Sequence, residues 1–142
     1  MQLNELITLA KSKATEAGLD PALVCAIVEQ ESAWNPWAIR YEPAFQKKYI
    51  DPMPIKQTDK VARSISWGLC QVMGQVAREA GFEGDYASLC DPEVGLTIGC
   101  KVFKKKLALA KGDIKKALLY WNGGSRPEYV DEVLARVEKY GV

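Results

Sequence analysis

The chain has 142 residues, 48% of them apolar and 26% charged, and a net charge of +1. That length suits one folded domain with a real core, and the near-neutral balance argues against a nucleic-acid partner or a polybasic membrane anchor. There is no histidine, which removes Ser-His and Cys-His nucleophilic catalysis and histidine metal sites in one step, so any chemistry must rest on carboxylates, Tyr, Lys, Ser or Cys.

Leu3, Leu6, Ile7 and Ala10 share one side of an amphipathic helix over roughly 3–16, which stops near Gly18. Asp20-Pro21 supplies an N-cap and a proline at the first helical position, opening a second helix over about 21–33. Within it Val24, Ile27, Val28 and Glu31 form one stripe, whereas Glu29 points the opposite way, toward solvent. Asn35-Pro36 is expected to end this helix, because the residue before proline is pushed out of the α region. Residues 34–66 hold Pro36, Pro43, Pro52 and Pro54 and the aromatics Trp34, Trp37, Tyr41, Phe45 and Tyr49. They read as a long excursion with a short helix around 43–49, and a loop of that length is usually functional. A helix over about 68–80 ends at Gly81, and Asp91-Pro92 caps another over about 92–110 that ends at Gly112. Asp113 caps the next, about 114–121, with Ile114, Ala117, Leu118 and Trp121 as its buried stripe. Asn122-Gly123-Gly124 stops it, and Arg126-Pro127 opens a last helix with Tyr129, Val130, Val133, Leu134 and Val137 as its apolar set. The expected fold is mainly α over a single domain, 1–142, with at most a minimal β element in the 37–66 region.

Cysteines stand at 25, 70, 90 and 100 without a CxxC pair, so no zinc knuckle is expected. Three disulfide pairings are formally open. Free buried thiols, which fit synthesis in a reducing cytosol, are the expectation. No secretory signal is visible and no apolar run approaches membrane-spanning length, so the chain is expected to be made in the cytoplasm and to act there or leave by a route that needs no signal. Lys104-Lys105-Lys106 reads as a solvated helix face or as a weak attractor of an anionic polymer.

Glu31 is the residue with the most chemical content. A carboxylate that continues an apolar stripe near a helix C-terminus is disfavoured in its charged form by burial and by the helix dipole. A raised pKa is what a general acid working near neutral pH needs. The plainer alternative is a glutamate snorkelling at the edge of the core.

Three segments stand in order: Glu31-Ser32, then Ser66-Trp67-Gly68-Leu69-Cys70-Gln71-Val72-Met73, then Tyr120-Trp121-Asn122-Gly123-Gly124. Together, over about residues 20–130, they resemble the goose-type lysozyme and lytic transglycosylase superfamily. That family shows Glu-Ser at a helix end, then Gly-Leu-x-Gln-(Ile/Val)-Met, then Ala-Tyr-Asn-x-Gly. The resemblance implies a lysozyme-like fold and cleavage of the β-1,4 bond between MurNAc and GlcNAc in the peptidoglycan glycan strand, with no cofactor or metal. Glu31 is then the acid/base, and Ser32, Ser66, Gln71, Met73, Tyr120 and Asn122 are substrate-binding candidates. Gln71 and Asn122 offer amide donors and acceptors to sugar hydroxyl and acetamido groups, and Met73 an adaptable apolar wall. Gly68, Gly123 and Gly124 let a glycan approach the backbone, although Gly68 and Gly124 also read as turn and cap residues. One position departs from the pattern. Trp121 precedes Asn122 where the family places the tyrosine that orients the catalytic glutamate, so either Trp121 fills that space or Tyr120 reaches the site from a shifted frame.

Glu42, in Ile39-Arg40-Tyr41-Glu42-Pro43, is a candidate second catalytic carboxylate, held extended by the following proline. The segment resembles phage-type members of the family in which a second acidic residue has a catalytic role. A salt bridge with Arg40 or Lys47 is the alternative, and Asp51 and Asp59 are weaker candidates. An inverting hydrolase needs two carboxylates about 6.5–9.5 Å apart with water between them, whereas a lytic transglycosylase manages with one, because the sugar's own C6 hydroxyl attacks and leaves a 1,6-anhydro end. The expectation is a monomeric lytic transglycosylase acting as a phage endolysin released by a holin. The alternatives are a hydrolase using Glu31 and Glu42, and an inactive glycan-binding or phage-tail module.

Overall fold

The computed structural model describes residues 1–141 and is mainly helical around one small sheet. In chain order the elements begin with α1 (Leu3–Glu16), α2 (Pro21–Ser32), β1 (Ile39–Tyr41) and α3 (Pro43–Phe45), which runs into a π-helical turn (Gln46–Ile50). There follow α4 (Gln57–Arg63), β2 (Ile65–Trp67), β3 (Val72–Met73), α5 (Gly74–Glu79) and a 3-10 turn (Tyr86–Cys90). The chain finishes with α6 (Pro92–Leu109), α7 (Ile114–Trp121), α8 (Glu128–Val137) and a closing 3-10 turn (Glu138–Tyr140).

Every residue of α2 from Ala22 to Val28 is buried, as expected of a helix that neighbours enclose on all sides. α1 covers it with Leu6, Ala10 and Ala14, and α8 with Tyr129, Val130 and Val133. α6 packs on α1 and α7, and its Phe103 and Leu96 extend the same core. The expected caps are present. Asp20, Asp91 and Asp113 accept from the backbone N–H of Ala22, Glu93 and Lys116 at 2.9, 2.9 and 3.1 Å, each satisfying a donor that a helix start leaves open. All four cysteines are free and buried.

The segment 65–73 corrects the expected helix over 68–80. It forms a hairpin, and helix begins only at Gly74. β1, β2 and β3 make an antiparallel sheet in that order, with Arg40 opposite Ser66 and Ser66 opposite Met73. Gly68 and Gln71, both in the left-handed region (φ 71° and 50°), close the turn through a Gln71 N–H to Gly68 carbonyl bond of 3.1 Å. The β element therefore extends past the 37–66 region. Gly68 is a packing residue, since a Cβ there would stand 2.5 Å from the Leu89 carbonyl oxygen. Its expected role as a place for a glycan to approach gives way to that contact. α4 was not expected at all; none of its residues is buried, so it carries no apolar stripe to read.

α2 ends before Asn35-Pro36. Ala33 and Trp34 already have left-handed backbones (φ 51° and 65°), and Trp34 is drawn into the core, its indole N–H donating to the Tyr140 hydroxyl at 2.9 Å. Tertiary anchoring, rather than proline, stops the helix. Glu29 likewise does not look to solvent. Its carboxylate is gripped by Arg136, by the Tyr140 hydroxyl and by Lys139 at 2.9 and 3.0 Å. Burial alone would raise its pKa, but the bonds from Tyr140, Lys139 and Arg136 outweigh it and bring the group down to about 2.

Candidate active site

The row Arg40–Ser66–Met73 across the sheet forms one wall of a cleft of about 460 Å³. Val102 and Lys106 of α6 and Tyr120 and Trp121 of α7 stand in another, and Glu31, on the last turn of α2, lies between them. The register that pairs β1 with β2 and β2 with β3 is what lines up side chains from three distant stretches of chain on one face.

Glu31 is half-buried, and two donors converge on one of its oxygens. The Tyr129 hydroxyl donates to Oε2, and the Trp121 indole N–H donates to the same atom at 3.2 Å. Oε1 takes no hydrogen bond among the described residues. Among the described residues no side-chain oxygen is buried without a partner, so Oε1 is the one open to the cleft. Burial pushes the Glu31 pKa above the usual carboxylate value. The bonds from Tyr129 and Trp121 and the charge of Arg40 pull the other way without cancelling it. The Tyr129 hydroxyl is raised well beyond ordinary tyrosine, first by burial and then by the Glu31 charge and bond, so it stays a donor at any working pH.

Trp121, then, and not Tyr120, meets the glutamate. Trp121 is fixed by edge-on packing against Phe103, with ring centroids 5.7 Å apart. Tyr120 sits on the cleft rim, 40% exposed, with no bond to Glu31. Sequence reasoning placed Tyr129 in an apolar set and missed its role. The available signal was chemical, because a tyrosine on a fully buried stripe needs a partner for its hydroxyl.

The remaining candidates divide. Ser66 lines the cleft, its hydroxyl free of protein partners among the described residues. Met73 and Asn122 line it as well, Asn122 at the C-terminal end of α7 with its amide donating to the Arg126 carbonyl at 3.3 Å. Gln71 lines the cleft but also holds the fold, since Nε2 donates to the Ala38 and Gly68 carbonyls, both at 2.9 Å. Ser32 is not brought into the cleft lining. Its hydroxyl turns back onto its own helix and donates to the Val28 carbonyl at 3.1 Å. Glu42 lines the same cleft as Glu31 and is paired with Arg40 at 3.0 Å. Asp59 is occupied by Arg63 and the Tyr86 hydroxyl, and Asp51 accepts from Gln46. Of the aromatics at 34–49, Phe45 reaches the cleft; Trp37, Tyr41 and Tyr49 are exposed and do not line it.

No helix among the described residues is long and apolar enough to cross a membrane. A family model described as transglycosylase SLT domain matches residues 8–135. No curated protein and no solved structure matches the chain.

Proposed function

Because this chain belongs to the transglycosylase SLT domain family, which degrades peptidoglycan, we propose that it cleaves the β-1,4 bond between MurNAc and GlcNAc with Glu31 as its one acid/base and leaves 1,6-anhydro ends. The setting of Glu31 carries this reading: a carboxyl whose pKa burial raises, held through Oε2 by Tyr129 and Trp121, and open to the cleft through Oε1. Trp121 and Tyr129 act as positioning residues.

The steps follow from that geometry. With both donors on Oε2, the transferable proton sits on Oε1. Glu31 gives it to the glycosidic oxygen as the bond from muramyl C1 to that oxygen breaks, and the GlcNAc side leaves with a new 4-hydroxyl. The carboxylate so formed is stabilised by the same two donors and by the Arg40 charge. It then takes the proton of the muramyl C6 hydroxyl as that oxygen bonds to C1. The ring closes as the 1,6-anhydro product and Glu31 regains its proton. No second carboxylate is needed, and Glu42 serves to hold Arg40.

One observation favours a second reading, because Glu42 lines the same cleft and could there activate water for hydrolysis by the pair Glu31 and Glu42. Product analysis on purified walls separates the two. Anhydro-muramyl ends alone support transglycosylation, and reducing muramyl ends overturn it. Clearing no faster than that of Glu31→Gln would leave an inactive glycan-binding or phage-tail module. We assign the biological role of a monomeric phage endolysin, which acts on the wall after holin release. Co-expression with a holin should lyse the host, and expression alone should not.

A further inference from the structure

A second hollow, of about 400 Å³, lies against the cleft and shares Lys106, Tyr120 and Gly123 with it. Its other walls are Leu109, Leu119 and Gly124. Leu109 is 68% exposed at the last turn of α6, and a Cβ at Gly123 or Gly124 would meet nothing within 4 Å, so the floor there is bare backbone. Lys106 is the one charged residue in this lining, and it makes no ion pair or hydrogen bond among the described residues.

These walls offer a further sugar ring few partners, because the bare backbone of Gly123 and Gly124 has its N–H groups already bonded to the Tyr120 and Leu119 carbonyls. Here two leucines and two glycines leave the Lys106 ammonium and the Tyr120 hydroxyl as the only side-chain polar groups. They suit a short peptide with small apolar side chains and a free carboxylate, its methyl groups on Leu109 and Leu119 and its carboxylate on Lys106. A peptidoglycan strand carries such a branch on its muramyl residues, and a branch must leave the axis of the strand. We propose that this hollow is the subsite for the stem peptide of the muramyl residue, with Lys106 recognising a stem carboxylate and Tyr120 forming the partition between strand and branch. The proposal rests on reading the cleft as a peptidoglycan site. It also gives Tyr120 a task that does not involve Glu31.

The test uses Glu31→Gln protein, so that binding is read without turnover, and short muro-oligosaccharides with and without their stem peptides. The peptide-bearing form should bind about tenfold more tightly, the order expected of one charge-assisted contact. Adding Lys106→Met should abolish that preference, adding Lys106→Arg should keep it, and amidating the stem carboxylates should reproduce the Lys106→Met result. Equal affinity for the two ligands, or a loss with Lys106→Met that is the same for both, would overturn the subsite. Clearing by the unmodified protein is scored separately. A protein that binds with the expected preference but does not clear walls would sink the proposed activity and leave the subsite standing.

Discussion

Replacing Tyr129 with phenylalanine removes one hydroxyl from a side chain that is 3% exposed and outside the cleft lining. Trp121 still holds Oε2, so the glutamate is loosened but not released. A hydrogen bond to a neutral acid contributes about 0.5–1.5 kcal/mol, and one to its ionised form about 1.5–3 kcal/mol. The difference, about 1–1.5 kcal/mol, is felt only as the proton leaves Glu31, and so belongs to the transition state. Tyr129→Phe should therefore lower kcat about five- to tenfold with little change in KM. Because the Tyr129 bond favours the charged form of Glu31, its loss raises the Glu31 pKa, and the descending alkaline limb of the pH–rate profile should move to higher pH. Steady-state release of soluble glycan across a pH series reads both quantities. A fall in kcat with the limb unmoved, together with a lower melting temperature, would reduce Tyr129 to packing and refute the assignment.

Three further outcomes follow from the same structure. Glu31→Gln should abolish clearing yet stabilise the fold in urea titrations. Since burial raises the folded-state pKa from 4.5, the gain should be absent below about pH 4.5, grow as the unfolded chain ionises and level off above the folded pKa; a gain independent of pH would contradict this. Glu29→Gln should cost about 1–3 kcal/mol at neutral pH, because it removes the negative charge that pairs with Arg136 and Lys139. Glu29 has its pKa lowered to about 2, so its contribution is full above about pH 4.5 and should vanish as pH falls through about 2, measured as acid unfolding of wild type against variant. Gly99→Ala would put a Cβ 2.4 Å from the Cys70 sulfur and should destabilise by about 1–3 kcal/mol; an unchanged urea midpoint would mean that α6 moves freely off the β2–β3 turn.

Much of the helical frame was legible because helices of eight or more residues repeat their apolar positions often enough to be read, and because Asp20, Asp91 and Asp113 mark the starts of three of them. Glu31 was legible by the same periodicity. The hairpin over 65–73 was not, since strands of three and two residues give no alternation to detect, and the left-handed backbone of Gln71 has no side-chain signature. Trp121 and Tyr129 were legible as buried but not as donors. Periodicity tells which way a side chain faces, whereas the identity of its partner depends on how three helices meet. Ser32 misled for a related reason: the Glu-Ser pair is adjacent in sequence, but its hydroxyl had a nearer acceptor on its own helix.

The two donors that hold the Glu31 carboxyl lie 90 and 98 residues further along the chain than Glu31. The acid is therefore assembled only by long-range closure, which is slow to form, and nothing built before α8 can reproduce it. A nascent chain on the ribosome has its glutamate early and its grip on that glutamate last. On the proposed mechanism, the Glu31 acid gains its full setting only once nearly the whole polypeptide has emerged and folded.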